Sequence, residues 1–121
     1  MAKKEASTDL WVYDLLKEAK ISENFTAQGS NIKEINKALQ TASKRGTGKV
    51  GFPEYVGVIS DFLIVIEDKA SLNKHINRND KDLIAEDVKS VTDYAVNGAL
   101  FYGKHLAKNT TYKKIIAIGV S

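Results

Sequence analysis

Two extended runs, residues 54–59 and 62–67, flank Ser60-Asp61 and constrain the fold of this 121-residue chain more than any other feature. From Pro53 to Lys69 the sequence reads PEYVGVISDFLIVIEDK. Short stretches rich in valine and isoleucine, split by a polar pair, predict a β-hairpin. A hairpin brings its outer ends together, so Glu54 must approach the acids that close the second run. A turn centred on Ile59 and Ser60 sets Glu54 opposite Val65. Facing residues point to one side of an antiparallel pair, and alternation carries that side on to Glu67 and Lys69. Glu54 and Glu67 become diagonal neighbours, roughly 7–8 Å apart at Cα. A slip of one residue would turn them to opposite sides. Asp61 shares the face but lies about 20 Å back along the strand, which makes it a turn residue.

The rest of the chain supplies helices. Residues 8–20 predict one, capped by Ser7 or Thr8, with Asp9 in its first turn. Its apolar side is Leu10, Trp11, Leu15, Leu16 and Ala19. Residues 32–44 predict a second, with Ile32, Ile35, Leu39 and Ala42 in helical step and Asn31 and Glu34 at capping-box spacing. Residues 43–52 (SKRGTGKVGF) form a glycine-rich basic loop, and residues 71–81 are polar and irregular. A long third helix is expected over 82–108, capped by Asp80 or a neighbour, with Ile84, Val88, Val91, Ala95, Tyr102 and Leu106 facing the core. Gly98 and Ala99 would let it lie close to a sheet. Residues 112–120 form the last strand. The order helix, helix, strand, strand, helix, strand predicts an α/β layer with a mixed sheet. A core strand that runs straight to Ser121 suggests a piece of a longer protein.

The acids and lysine at the hairpin mouth suit one chemistry. Carboxylate oxygens are hard ligands for magnesium or manganese, ions that keep several waters. Such an ion polarises a phosphoryl oxygen and acidifies a bound water. A lysine two positions beyond a ligand points to the same side and can orient the nucleophile or offset transition-state charge. The bland alternative is a solvated strand end with weak surface ion pairs. The apolar run 62–66 argues against it, because it delivers Glu67 and Lys69 at the C-terminal end of a core strand, where sites usually form.

The segment GFPEYVGVISDFLIVIEDKA resembles the core of the PD-(D/E)xK nuclease superfamily. Pro53-Glu54 stands in the Pro-Asp place and Glu67-Asp68-Lys69 matches the acid-x-lysine motif. The chain is similar to the N-terminal nuclease domain of type IIG-like restriction enzymes fused to an N-6 adenine DNA methyltransferase, with the cutting subunit of type I systems a broader cousin. The resemblance is strongest over residues 44–76 and 87–121. It implies a restriction-endonuclease-like fold and magnesium-dependent cleavage of double-stranded DNA, with manganese as a substitute. Glu54 and Glu67 would bind the metal, the backbone carbonyl of Asp68 would be a further ligand, and Lys69 would act on the water. Families of this kind often add an acid from a preceding helix, for which Glu34 and Glu18 are the candidates. It further implies that residues 1–121 form one nuclease-like domain at the N-terminal end of a longer restriction–modification protein. The methyltransferase and specificity regions of that chain would be its partners, and two copies would meet for double-strand cleavage. Two departures stand out: glutamate replaces aspartate at 54, and Ser90 stands where a Gln-x-x-x-Tyr element would have glutamine, with Tyr94 in the tyrosine place. Tyr94 is therefore a weak DNA-contact candidate beside a packing role.

Other signals narrow the alternatives. A net charge of +3 and a pI near 9.0 are compatible with a polyanionic partner. Lys44, Arg45 and Lys49 on the glycine-rich loop are candidates for DNA phosphates. That loop is no Walker A motif, which would need glycine at 43 and serine or threonine at 50, where Ser43 and Val50 stand. No apolar run approaches the roughly 20 residues of a membrane span. The N-terminus lacks a signal-peptide core, and the absence of cysteine removes disulfides and thiolate metal sites. A cytoplasmic location is expected. His75 and His105 have no zinc-like spacing and read as surface residues. Tyr55, Phe62, Phe101 and Tyr102 read as core or half-core, and Glu86, Lys89, Asp93, Lys104 and Lys108 as the wet face of the third helix.

Overall fold

The computed structural model describes residues 2–121, with side chains from Ser7 onward. The predicted hairpin forms from β2 (Tyr55–Ile59) and β3 (Phe62–Asp68). Its turn is Ser60-Asp61, with Ser60 in the left-handed region at φ 56° and Ile59 facing Phe62. The register therefore differs by two residues from the expected one, pairing Val56 with Val65 and Tyr55 with Ile66. An even shift leaves every side chain on its expected face. A short strand missed in the sequence, β1 (Phe25–Ala27), pairs antiparallel with β2, and β4 (Lys114–Val120) lies parallel to β3. The result is a four-stranded mixed sheet in the order β1-β2-β3-β4.

Alternation along β3 sorts the core into two layers. Leu63 and Val65, with Val56, pack against Ile35 and Leu39 of α2 (Lys33–Leu39) and against Tyr102 and Leu106 of α4 (Ala95–Asn109). Ile66 and Tyr55 point the other way, toward Val12 and Leu16 of α1 (Ala2–Glu18). Ile35, Leu39, Leu63 and Leu106 are wholly buried, and each such aliphatic side chain contributes about 1.5–3 kcal/mol. The sheet is thus flanked by helices on both faces, the α/β class and mixed topology expected, and consistent with a restriction-endonuclease-like fold.

The helices depart from expectation in informative ways. α1 runs through Ser7 and Thr8, which are not caps, and ends at Glu18 with Lys20 left-handed at φ 62°. Among its described side chains the buried positions are Val12 and Leu16, while Leu10, Trp11 and Leu15 are exposed. α2 is capped at Ile32, with no side-chain cap bond, so the Asn31–Glu34 capping box does not form.

The long third helix is broken in two. α3 (Val88–Asp93) begins at Asp87, whose carboxylate accepts from the Ser90 amide at 3.2 Å and from its hydroxyl at 2.7 Å. Tyr94, extended at φ −117° and ψ 138°, separates α3 from α4. Residues 82–87 are not helical because asparagine side chains offer competing acceptors. Asn79 Oδ1 takes the Lys81 and Leu83 amides. Among the described residues no helix is long and apolar enough to cross a membrane.

Candidate active site

Consecutive acids close β3, and alternation sends them to opposite faces of the sheet. Both are buried, Glu67 at 4% exposure and Asp68 at 1%. Their surroundings differ sharply. Glu67 lies on the α4 side with both oxygens satisfied: Oε1 accepts the Glu54 backbone N–H at 3.0 Å, and Oε2 meets Lys44 Nζ at 2.6 Å. Lys44 also lies over the Tyr102 ring, 5.0 Å from its centroid. Asp68 lies on the α1 side, and neither of its carboxylate oxygens has a hydrogen-bond donor.

Glu54 connects the two. It precedes β2 in a bend after Pro53, so strand alternation no longer dictates its side chain. Its carbonyl accepts the Gln28 amide at 3.1 Å, and its Oε2 accepts from Gln28 Nε2 at 2.8 Å. Asp9, Glu54 and Asp68 each bring a carboxylate oxygen within 4.8 Å of the others. The expected carboxylate pair of Glu54 and Glu67 is replaced by a backbone-to-carboxylate bond, and Glu54 turns its charge toward Asp9 and Asp68 instead.

Electrostatics mark this cluster. Burial first, then the adjoining Asp9 carboxyl, then the charges of Glu54 and Glu67 push the Asp68 carboxyl up to about 9. Carboxylates this close stay ionised together only when a cation joins them; otherwise protons must neutralise them. The donor set, all hard carboxylate oxygen, fits magnesium, manganese or calcium. Tyr55, whose hydroxyl donates to the Asp9 carbonyl at 3.2 Å, is likewise pushed up to about 12, by burial and then by Asp9 and Asp68.

The other predicted residues are scattered. Lys69 follows β3 on the Glu67 side, its amide donating to the Val120 carbonyl at 2.9 Å. It adds to the field that holds the Asp93 carboxyl below its usual value, after the Lys89 bond that dominates there. Glu34 is not at the site. Its carboxylate binds the Thr111 amide and hydroxyl, ahead of β4 and so at the far end of the parallel pair. Glu18, the last residue of α1, is exposed. Lys44 is turned inward and paired with Glu67, whereas Arg45 and Lys49 are exposed on their loop. Ser90 is buried against Asp87, and Tyr94 lies under the Lys74 ammonium, 5.2 Å from the ring centroid. His75 Nδ1 meets Ser121 Oγ at 3.0 Å, while His105 is held by the Ala38 carbonyl and Thr41 and stacks on Phe101, more enclosed than a surface histidine.

Asp9 and the Asp68 side chain escaped the sequence reading. A signal existed: Asp9, Val12 and Leu16 fall at steps of three and four, so an acid occupies the buried stripe of α1. Gly98 of α4 lies against the Lys44–Glu67 pair. A Cβ there would meet the Val91 carbonyl at 2.9 Å, Lys44 Nζ at 3.0 Å and Glu67 Oε2 at 3.1 Å. Gly98→Ala is expected to cost about 1–3 kcal/mol through crowding, less up to about 1 kcal/mol regained from helix propensity. Thermal denaturation should show a net loss.

No protein-family model matches the chain, and no solved structure matches it. Over its whole length it is 34% identical, across 123 aligned positions, to the type II restriction enzyme and methyltransferase RM.BcgI of Heyndrickxia coagulans. The chain spans 19% of that relative's length. The similarity is thus to a segment of that restriction enzyme and methyltransferase.

Proposed function

We propose that this chain is the DNA-cutting module of a restriction–modification enzyme, hydrolysing phosphodiester bonds with bound magnesium, or manganese in its place. The observation that carries the reading is the end of β3. Two buried acids leave it on opposite faces, and Glu54 from the bend before β2 lies against both. The similarity of this chain to part of a restriction enzyme and methyltransferase supports double-stranded DNA as the substrate and the methyltransferase and specificity regions of a longer chain as partners.

Glu54 is the metal ligand on which motif and geometry agree. Bound magnesium would polarise the phosphoryl oxygen and acidify a water. Lys69 would offset transition-state charge as the phosphate approaches this strand end. Glu67 holds the Glu54 amide, and becomes available as a ligand, together with the Asp68 carbonyl, when Lys44 moves away. Lys44, Arg45 and Lys49 share one loop, whose Gly46 and Gly48 both adopt φ 69°. A DNA phosphate would compete with Glu67 for Lys44 there.

The test is cutting of plasmid DNA by the full-length protein with magnesium. Glu54→Ala, Glu67→Ala and Lys69→Ala should each slow it by about a hundredfold or more. Undiminished cutting by Glu67→Ala and Lys69→Ala would remove the assignment. One observation favours a second reading, a non-cutting module that holds DNA: both Glu67 oxygens are already engaged within the protein. That reading predicts salt-dependent DNA binding that the same substitutions alter, with no cleavage to lose.

A further inference from the structure

The motif directs attention to Glu67, yet Glu67 is the satisfied acid and Asp68 the unsatisfied one. Asp68 is the most buried acid among the described residues, and both its oxygens lack a donor, as does Asp9 Oδ1. A buried carboxylate is costly unless it is paired or coordinates a metal. Among the described residues, Asp9, Glu54 and Asp68 are the one group of acids and histidines gathered as metal ligands would be. Their oxygens, within 4.8 Å of one another, match the separation of about 4–5 Å allowed between ligands at roughly 2.1–2.6 Å from one ion.

We propose that Asp9, Glu54 and Asp68 together hold a hard divalent cation on the α1 face of the sheet, with Glu67 and Lys69 on the opposite face. The cation's use in cleavage rests on the endonuclease reading; its binding does not. The three ligands come from α1, from the bend before β2 and from the end of β3. The ion therefore fastens α1 to the sheet at the site, next to the contacts of Val12 and Leu16 with Tyr55 and Ile66. Glu67, through its bond to the Glu54 amide, is a positioning residue for this site: it sets the backbone from which Glu54 reaches its partners.

The experiment is thermal unfolding of the full chain in EDTA and in rising manganese or magnesium, with hydrogen exchange of α1 as a second readout. Wild type should gain several degrees as the cation is added, and the α1 amides should slow. Asp61→Asn, at the hairpin turn where the acid pairs with Lys114 away from the cluster, should keep that gain. Asp68→Asn should lose it, while melting in EDTA no lower than wild type because a buried acid is gone. Absence of any cation response in wild type, or a full response in Asp68→Asn, overturns the proposal. If Asp68→Asn fails to fold, Asp9→Asn carries the same prediction. Cation binding without cleavage leaves this site standing and removes the nuclease reading. Cleavage without an Asp68-dependent response does the reverse.

Discussion

Lys44→Met is expected to destabilise the fold by roughly 3–5 kcal/mol, the range for removing one partner of a buried ion pair. The substitution keeps most of the side-chain volume and removes the charge. It leaves Glu67, whose side chain is 5% exposed, with its Oε2 facing Tyr102 and Gly98 and no cation on it. In a chain of this size the loss should lower the melting temperature by about 10 °C or more. Lys44 keeps 16% of its side chain in contact with solvent, which argues for the lower end of the range. The companion variant decides the cause. Lys44→Met with Glu67→Gln removes both charges while an amide oxygen still accepts the Glu54 N–H, and should recover most of the loss. If the double variant melts as low as the single one, Lys44 contributes packing over the Tyr102 ring and not charge. A chemical-denaturation series on wild type, both single variants and the double variant gives the coupling energy directly.

The contrast between the paired and the unpaired acid shows what could be read beforehand. The hairpin was legible because its runs are β-branched and its turn is two polar residues. The turn was placed one residue early, but that moves the register by two and preserves the faces of Glu67 and Lys69. Parity failed only for Glu54. Alternation holds while the chain stays in the strand, and the bend after Pro53 frees that side chain to swing toward Asp9 and Asp68. The buried face of α1 was misread because apolar residues ring the helix. Leu10 and Trp11 look like core residues and yet are 65% and 55% exposed. Once Val12 and Leu16 are known to face the sheet, Asp9 follows from helical spacing. Glu34 invites a capping or a metal-ligand role from its spacing and from the resemblance, and its actual partner, Thr111, is 77 residues away, beyond any local pattern. The break at Tyr94 was hidden because Val91, Ala95, Tyr102 and Leu106 keep a helical step across it.

The loop before α3 is tied to α4 by the Asn97 side chain, and its removal gives the second large effect. Asn97→Ala is expected to cost about 3 kcal/mol or more. Asn97 is 1% exposed, and its amide makes a closed set of bonds to the loop before α3. Its Oδ1 accepts the Asn77 amide at 2.9 Å, and its Nδ2 donates to the carbonyls of Asn77 and Ala85 at 2.9 and 2.8 Å. Alanine leaves three backbone groups without these partners, and each buried unsatisfied group costs about 1–3 kcal/mol. The loss would be local before it is global. Asn77 also donates to the buried Ser90 hydroxyl at 3.0 Å, so the loop, the Asp87 cap and the start of α3 should open together. Hydrogen exchange should therefore accelerate over residues 75–91 while the β2 and β3 amides keep their protection relative to the global limit. Uniform acceleration across the sheet would show instead that Asn97 supports the whole fold and not this loop. Asn97→Asp separates hydrogen bonding from shape. Its oxygen can still accept the Asn77 amide, but it offers no donor to the two carbonyls. Its stability should fall at least as far as that of Asn97→Ala, with the deficit shrinking as the pH is lowered toward the ordinary carboxyl range and the acid regains a proton to donate.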